Sequence, residues 1–77
     1  MITEGVVNSV QRSFSLVECL SENPAGKGVI QLADETKLPP STVHRALRTL
    51  CHIGYVTQEP RSERYRLTGK LLEVAAR

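Results

Sequence analysis

Residues 32–56, LADETKLPPSTVHRALRTLCHIGYV, limit what this chain can fold into more than any other stretch. Two successive prolines, Pro39 and Pro40, cannot lie inside one helix. Proline has no N–H to give, and its ring clashes with the turn before it. The pair therefore ends one helix and opens another. Pro40 suits a first helical turn, where no N–H bond is lost. The helix it opens runs to about residue 53, and Gly54 can adopt the left-handed conformation that closes a helix. Ahead of the prolines a shorter helix covers about residues 29–36. Gly28 is its N-cap, and Gln31 is placed to reach back to the Gly28 backbone. Val29, Leu32 and Ala33 form its inner stripe. Lys37 and Leu38 make the turn, with Leu38 filling the space between the helices.

The helix after the prolines sorts its residues by side. Taking Ser41 as zero and about 100° per residue, Arg48, His52, Arg45 and His44 fall at about 340°, 20°, 40° and 300°. Val43, Ala46, Leu47 and Leu50 fall opposite, at about 200°, 140°, 240° and 180°. An ordinary surface helix has the same split, but its polar side mixes acids and bases in i,i+4 pairs. No acid occurs anywhere from residue 39 to residue 54. A side that carries Arg45 and Arg48 without acids points to an anionic partner. One helix steadying a second, whose outer side is cationic, is how a helix-turn-helix presents itself to the DNA major groove.

The flanking segments fit around this pair. From Asn8 or Ser9, either of which can serve as N-cap, to about residue 21 the pattern is helical. Val10, Phe14, Val17 and Leu20 define its expected buried side. Residues 22–28, ENPAGKG, are rich in breakers and read as a loop. After Gly54, residues 55–58 and 64–67 are β-prone, and residues 59–63 form a polar turn between them. The result is a β-hairpin, a wing, with Tyr65 and Leu67 on one side and Arg64 and Arg66 on the other. Thr68 caps a last helix over residues 69–77, with Leu71, Leu72 and Ala75 as its apolar positions. The expected fold is mainly α with a small β-hairpin (α+β): a winged helix-turn-helix of a three-helix core and a two-stranded wing. Residues 1–7 are a loose arm and residues 8–67 the domain.

At 77 residues the chain is one small domain with little stability to spare, which favours support from a partner subunit. Its net charge of +2 is unevenly spread. Residues 1–38 carry three bases against five acids, and residues 39–77 carry seven against three. The second half is the expected electrostatic footprint. Cys19 and Cys51, both in expected helices, read as free thiols of a reducing cytosol. The sequence has neither a long apolar run nor the basic and apolar blocks of a signal peptide, so the expected location is cytoplasmic, without a membrane.

The string Leu38, Pro39, Ser41, Thr42, Val43, His44, Arg45, joined to Gly54-Tyr55-Val56 and Arg64-Tyr65-Arg66-Leu67, resembles the N-terminal winged helix-turn-helix of IclR-family bacterial transcription regulators. Residues 9–20, with Arg12, resemble that family's first helix, and the likeness covers residues 8–75. Two positions depart from the pattern: Lys37 where glycine is frequent, and Ile30 where a small polar residue is usual. The resemblance implies a homodimer on a near-palindromic operator, with contacts from the first and last helices. It also implies a linker helix, begun at residues 68–77, and a larger C-terminal domain for a small-molecule effector. No such domain follows in this sequence. The unfinished last helix favours a separated DNA-binding fragment over a natural truncation.

Individual residues then take expected roles. The hydroxyls of Ser41 and Thr42 either bind phosphate at the helix N-terminus or simply cap it. Arg45 is the leading base reader, because arginine can bond guanine O6 and N7 together. His44 reaches a base edge or a phosphate, and Arg48 the backbone. Arg61 and Arg64 meet phosphates or a minor groove, or stay solvated in the turn. Arg12 makes a backbone contact or an internal salt bridge. Tyr55 and Tyr65 pack the wing. His44 and His52, eight residues apart without a carboxylate or thiolate set, are not a metal site, and no cofactor is expected. No carboxylate pair, nucleophile triad or phosphate-cradling glycine motif supports an enzyme. The rival reading is a winged helix used for protein contact, which would show an apolar patch on its third helix or wing.

Overall fold

The computed structural model describes residues 5–77, so part of the expected arm at residues 1–7 lies outside the described residues. Three helices, α1 (Asn8–Leu20), α2 (Val29–Thr36) and α3 (Pro40–His52), precede a hairpin of β1 (Val56–Gln58) and β2 (Tyr65–Leu67) and a short α4 (Lys70–Ala75). The strands are antiparallel, pairing Val56 with Leu67, Thr57 with Arg66 and Gln58 with Tyr65. This is the expected winged helix-turn-helix. Among the described residues no helix is long and apolar enough to cross a membrane.

The start of α1 differs from expectation. Val7 is its N-cap, without a side-chain cap, because the Val7 carbonyl already accepts the first helical N–H, that of Gln11, at 3.1 Å. Asn8 and Ser9 therefore lie inside the helix rather than before it. The buried side of α1 also differs. Leu16 and Leu20 are buried, whereas Val10 and Phe14 are 54% and 58% exposed and Val17 is half-buried. Counted from Leu16, Leu20 stands at about 40°, while Val17, Val10 and Phe14 stand at about 100°, 120° and 160°. The helix thus carries two neighbouring apolar stripes. The leucine stripe meets Leu32, Ala33, Val43, Leu47, Leu50, Val56 and Tyr65 in one core. Of the apolar set foreseen on α3, Val43, Leu47 and Leu50 are buried and Ala46 is partly buried.

The turns follow local chemistry. Gly28 is the N-cap of α2, with no side-chain cap, so Gln31 does not make the reach-back bond to it. Lys37 closes α2 in the left-handed region (φ 60°, ψ 32°), and Leu38 is partly buried between the helices. Gly54 (φ 90°) ends α3, with the Tyr55 N–H returning to the Leu50 carbonyl at 3.0 Å. The Lys70 ammonium then donates to the Ile53 carbonyl and lies 4.8 Å from the Tyr55 ring centroid. A cation at a helix C-terminus is favoured by the helix dipole. The Thr68 hydroxyl donates to the Gly54 carbonyl (2.6 Å) and accepts from the Lys70 N–H (3.2 Å), which ties α4 to the end of α3.

The segment expected to be only a loop, residues 22–28, does more. Lys27 pairs with Tyr65 as a one-residue third strand beside β2. Gly26 (φ 91°) makes that approach possible: a Cβ there would sit 2.5 Å from the Tyr65 carbonyl oxygen.

Candidate nucleic-acid interface

The outer side of α3 is built by the inner one. Val43 and Leu47 are fully buried against α1 and α2, which fixes the rotation of the helix and turns Ser41, His44, Arg45 and Arg48 outward, all exposed. Thr42 is half-buried toward α1. Pro39 occupies the N-cap and no side chain caps α3, so the capping role considered for Ser41 and Thr42 is absent. Proline offers no side-chain acceptor, and the two hydroxyls fall within the first turn.

Arg12, Thr42 and Arg45 line one groove between α1 and α3, so the first helix places its arginine beside the leading base-reading candidate. Arg12 also borders a polar cleft with Asn8, Gln11, Ser15, Thr36 and Leu38, next to the turn that precedes α3. The internal salt bridge considered for Arg12 is not made among the described residues, where only Lys27 forms ion pairs. Arg48 lies on the other flank of α3, close enough for its charge to act on the Tyr65 phenol. The order Arg45 toward α1 and Arg48 toward the wing follows from their helical angles.

In the hairpin turn Glu59 is held by the backbone. Its carboxylate accepts the Ser62 backbone N–H at 2.6 Å, and its backbone carbonyl takes the Glu63 N–H at 2.8 Å. Hydrogen bonds from the Ser62 and Arg61 backbone hold the Glu59 carboxyl below its usual range. Arg61, Arg64 and Arg66 are exposed and make no ion pair among the described residues. Tyr65 is buried, and burial pushes its phenol up; Tyr55 is half-buried. Both tyrosines pack against the core, as expected.

Two features escaped the sequence reading. Lys37 is exposed at the turn three residues before α3, and its place beside a helix N-terminus was the signal. Lys27, in the stretch expected to be a loop, is buried at 4% exposure between Glu22 and Glu35. Its pairing partner Tyr65 is far away in sequence, so no local pattern marks it.

A third surface is apolar. Val10, Phe14, Val17, Ile53, Tyr55, Leu71 and Val74 line the groove that continues past Arg12 and Arg45, with a volume of about 690 Å³. It lies among α1, α3 and α4, and Arg12, Thr42 and Arg45 belong to its lining.

Comparison with known proteins agrees with this architecture. Residues 9–60 match the model of the IclR helix-turn-helix domain. The chain is 41% identical over 71 residues to the HTH-type transcriptional regulator KdgR of Escherichia coli (strain K12), covering 92% of this chain and 27% of that protein. It is 42% identical over 66 residues to the DNA-binding transcriptional repressor YiaJ of the same organism, covering 86% of this chain and 23% of that one. The crystal structure of an IclR family transcriptional regulator from Brucella abortus superposes with a TM-score of 0.84 at 28% identity, covering 94% of this chain and 28% of that one. A Zalpha domain from Carassius auratus PKZ shares the fold at 22% identity and a TM-score of 0.73. The chain spans about a quarter of the length of the regulators it matches. With the match over residues 9–60 and these identities, the chain belongs to the IclR family, as its helix-turn-helix domain.

Proposed function

We propose that this chain binds double-stranded DNA sequence-specifically as the DNA-binding head of a cytoplasmic bacterial transcription regulator. The observation that carries this reading is the outer side of α3: exposed Ser41, His44, Arg45 and Arg48 with no acid among them, on a helix whose rotation is fixed by a buried core. α3 enters the major groove. Arg45 reads bases, His44 assists, and Ser41 and Thr42 present hydroxyls and backbone N–H groups to a phosphate. Arg48 reaches the backbone on the wing side, and Arg12 and Lys37 reach it on the α1 and turn side. Arg61 and Arg64 hold the hairpin to the backbone or minor groove. Phosphate contacts set the register while base contacts carry the sequence information.

One such head buries too little DNA for high specificity at cellular salt. A symmetric dimer on a near-palindrome doubles the interface and fixes the half-site spacing. The exposed apolar residues Val10, Phe14 and Val74 support that reading, because a second copy would cover them. In the complete regulator an effector bound elsewhere would act by changing the spacing of the two heads. The relatives named above carry the words regulator and repressor, and repression is the output they suggest.

The test is selection of a random duplex library by the protein across a salt series. An enriched palindrome with steep salt dependence supports a dimeric, sequence-specific regulator. Salt-sensitive binding without enrichment removes sequence reading from this chain alone. No binding at low salt refutes the DNA reading and favours a protein-contact module.

A further inference from the structure

Among the described residues Lys27 is the one buried charged side chain, and both ends of it are engaged. Its backbone exchanges two hydrogen bonds with β2: the Lys27 N–H donates to the Tyr65 carbonyl at 2.9 Å, and the Tyr65 N–H donates to the Lys27 carbonyl at 2.8 Å. Its ammonium donates to Glu22 Oε1 at 2.7 Å and to Glu35 Oε1 at 2.6 Å, and lies 3.4 Å from Cys19 Sγ. Cys19 belongs to α1, Glu22 follows it, and Glu35 belongs to α2. One residue therefore joins the first two helices to the strand that carries Arg66 and follows Arg64.

The cluster is desolvated on one side only: Lys27 is buried while Glu22 and Glu35 stay 66% and 34% exposed, so desolvation offsets part of the attraction. What an ammonium between two carboxylates adds is direction. It has one position that satisfies both acceptors, whereas an apolar chain slides. Cys19, Glu22 and Glu35 hold their donor atoms within 4.8 Å of one another, and the ammonium supplies the cation that such a set attracts. Gly26 allows residue 27 to lie directly against Tyr65, so a shift at Lys27 is passed to the hairpin.

We infer that Lys27 is the positioning residue of the wing: its buried ammonium, held by Glu22 and Glu35, sets through Tyr65 the direction in which Arg61 and Arg64 meet the DNA backbone. The inference rests on the reading of those two arginines as phosphate contacts. Lys27 touches no DNA in this arrangement.

Two variants test it. Lys27→Met keeps the volume and leaves two carboxylates that reach water, their side chains being 66% and 34% exposed. The double variant Glu22→Gln, Glu35→Gln keeps the shape and strands the ammonium. Amide hydrogen exchange is measured at Lys27 and Tyr65, with Leu47 and Leu50 of α3 as the internal reference for folding. Binding to a duplex of mixed sequence is measured across a salt series. In both variants exchange at residue 27 and Tyr65 rises about tenfold relative to α3. The slope of log affinity against log salt becomes shallower by about one to two, the share of two phosphate contacts. Adding Arg61→Ala and Arg64→Ala to either variant then changes the slope no further. A variant that merely lost folded protein would keep the parent slope with a lower active fraction. Unchanged exchange at Tyr65, or faster exchange with the parent slope retained, overturns the inference. The parent protein carrying only Arg61→Ala and Arg64→Ala separates the two claims. An unchanged slope there refutes the wing contact itself, and a changed slope there with none in the Lys27 and glutamate variants refutes the positioning role.

Discussion

Replacing Arg61 and Arg64 together by alanine tests the wing, and its size follows from the hairpin's hydrogen bonds. Both arginines are exposed and neither is paired among the described residues. The Glu59 carboxylate of the same turn is held by the Ser62 N–H. Both guanidinium groups are therefore free to meet phosphates. A phosphate contact adds about 0.9 to the slope of log affinity against log salt on B-form DNA. Two add about 1.8, so a fourfold rise, from about 50 to about 200 mM salt, shrinks the parent-to-variant affinity ratio about twelvefold. Fluorescence anisotropy with a labelled duplex over that range measures the ratio. Neither substitution touches the core, so the melting temperature should hold, and the preferred sequence should not change. A ratio constant across the salt range would refute the phosphate assignment. A changed consensus would show that the wing reads bases.

Arg45→Ala should cost about 1–3 kcal/mol on the best site and relax the base preference at one position; equal loss on every sequence would make Arg45 a phosphate contact. Phe14→Glu, at a side chain 58% exposed on α1, should turn a dimer into a monomer in sedimentation equilibrium; a persistent dimer would move the interface off the α1, α3 and α4 groove. Lys37→Gly should raise stability by about 0.5–1 kcal/mol by removing the cost of a side chain at a left-handed position. A lower melting temperature would mean that the Lys37 side chain contributes more than its strain costs. Glu35 is held below its ordinary value of 4.5 by the hydrogen bond from Lys27. Its contribution to stability is thus complete above that value and is lost as pH falls through the depressed one. Thermal melts from neutral to acid pH should show this loss below about pH 4.5, and Glu35→Gln should flatten it. A parent curve that matches the Gln variant would refute the coupling.

Local chemistry in the sequence determined α3 almost completely. Pro40 starts it, Gly54 ends it, and the angles of Val43, Leu47 and Leu50 against Arg45 and Arg48 settle which side is outward. These are properties of the backbone and of neighbours within a few residues, so they can be read without the fold. The hairpin was legible for the same reason, through the alternation at Tyr65, Arg66 and Leu67 around a polar turn. The family likeness added the expectation of a dimer and of an effector domain, which the described residues do not reach.

Tertiary structure decided what depends on distant partners. α1 carries two apolar stripes about 100° apart, and periodicity alone could not say which meets the core. Contact with Leu32, Val43 and Leu47 chose Leu16 and Leu20, leaving Val10 and Phe14 exposed beside Arg12 and Arg45. The same holds for Lys27. Its sequence surroundings, Gly26 and Gly28, mark a loop, and a lysine in a loop belongs in water. Only the arrival of Tyr65, and of Glu22 and Glu35 around the ammonium, made burial the lower-energy state. An N-cap, a turn or a helix face can be set by interactions a few residues long, but the side of a helix that is buried and the charge that is enclosed are set by residues that meet only when the chain has folded.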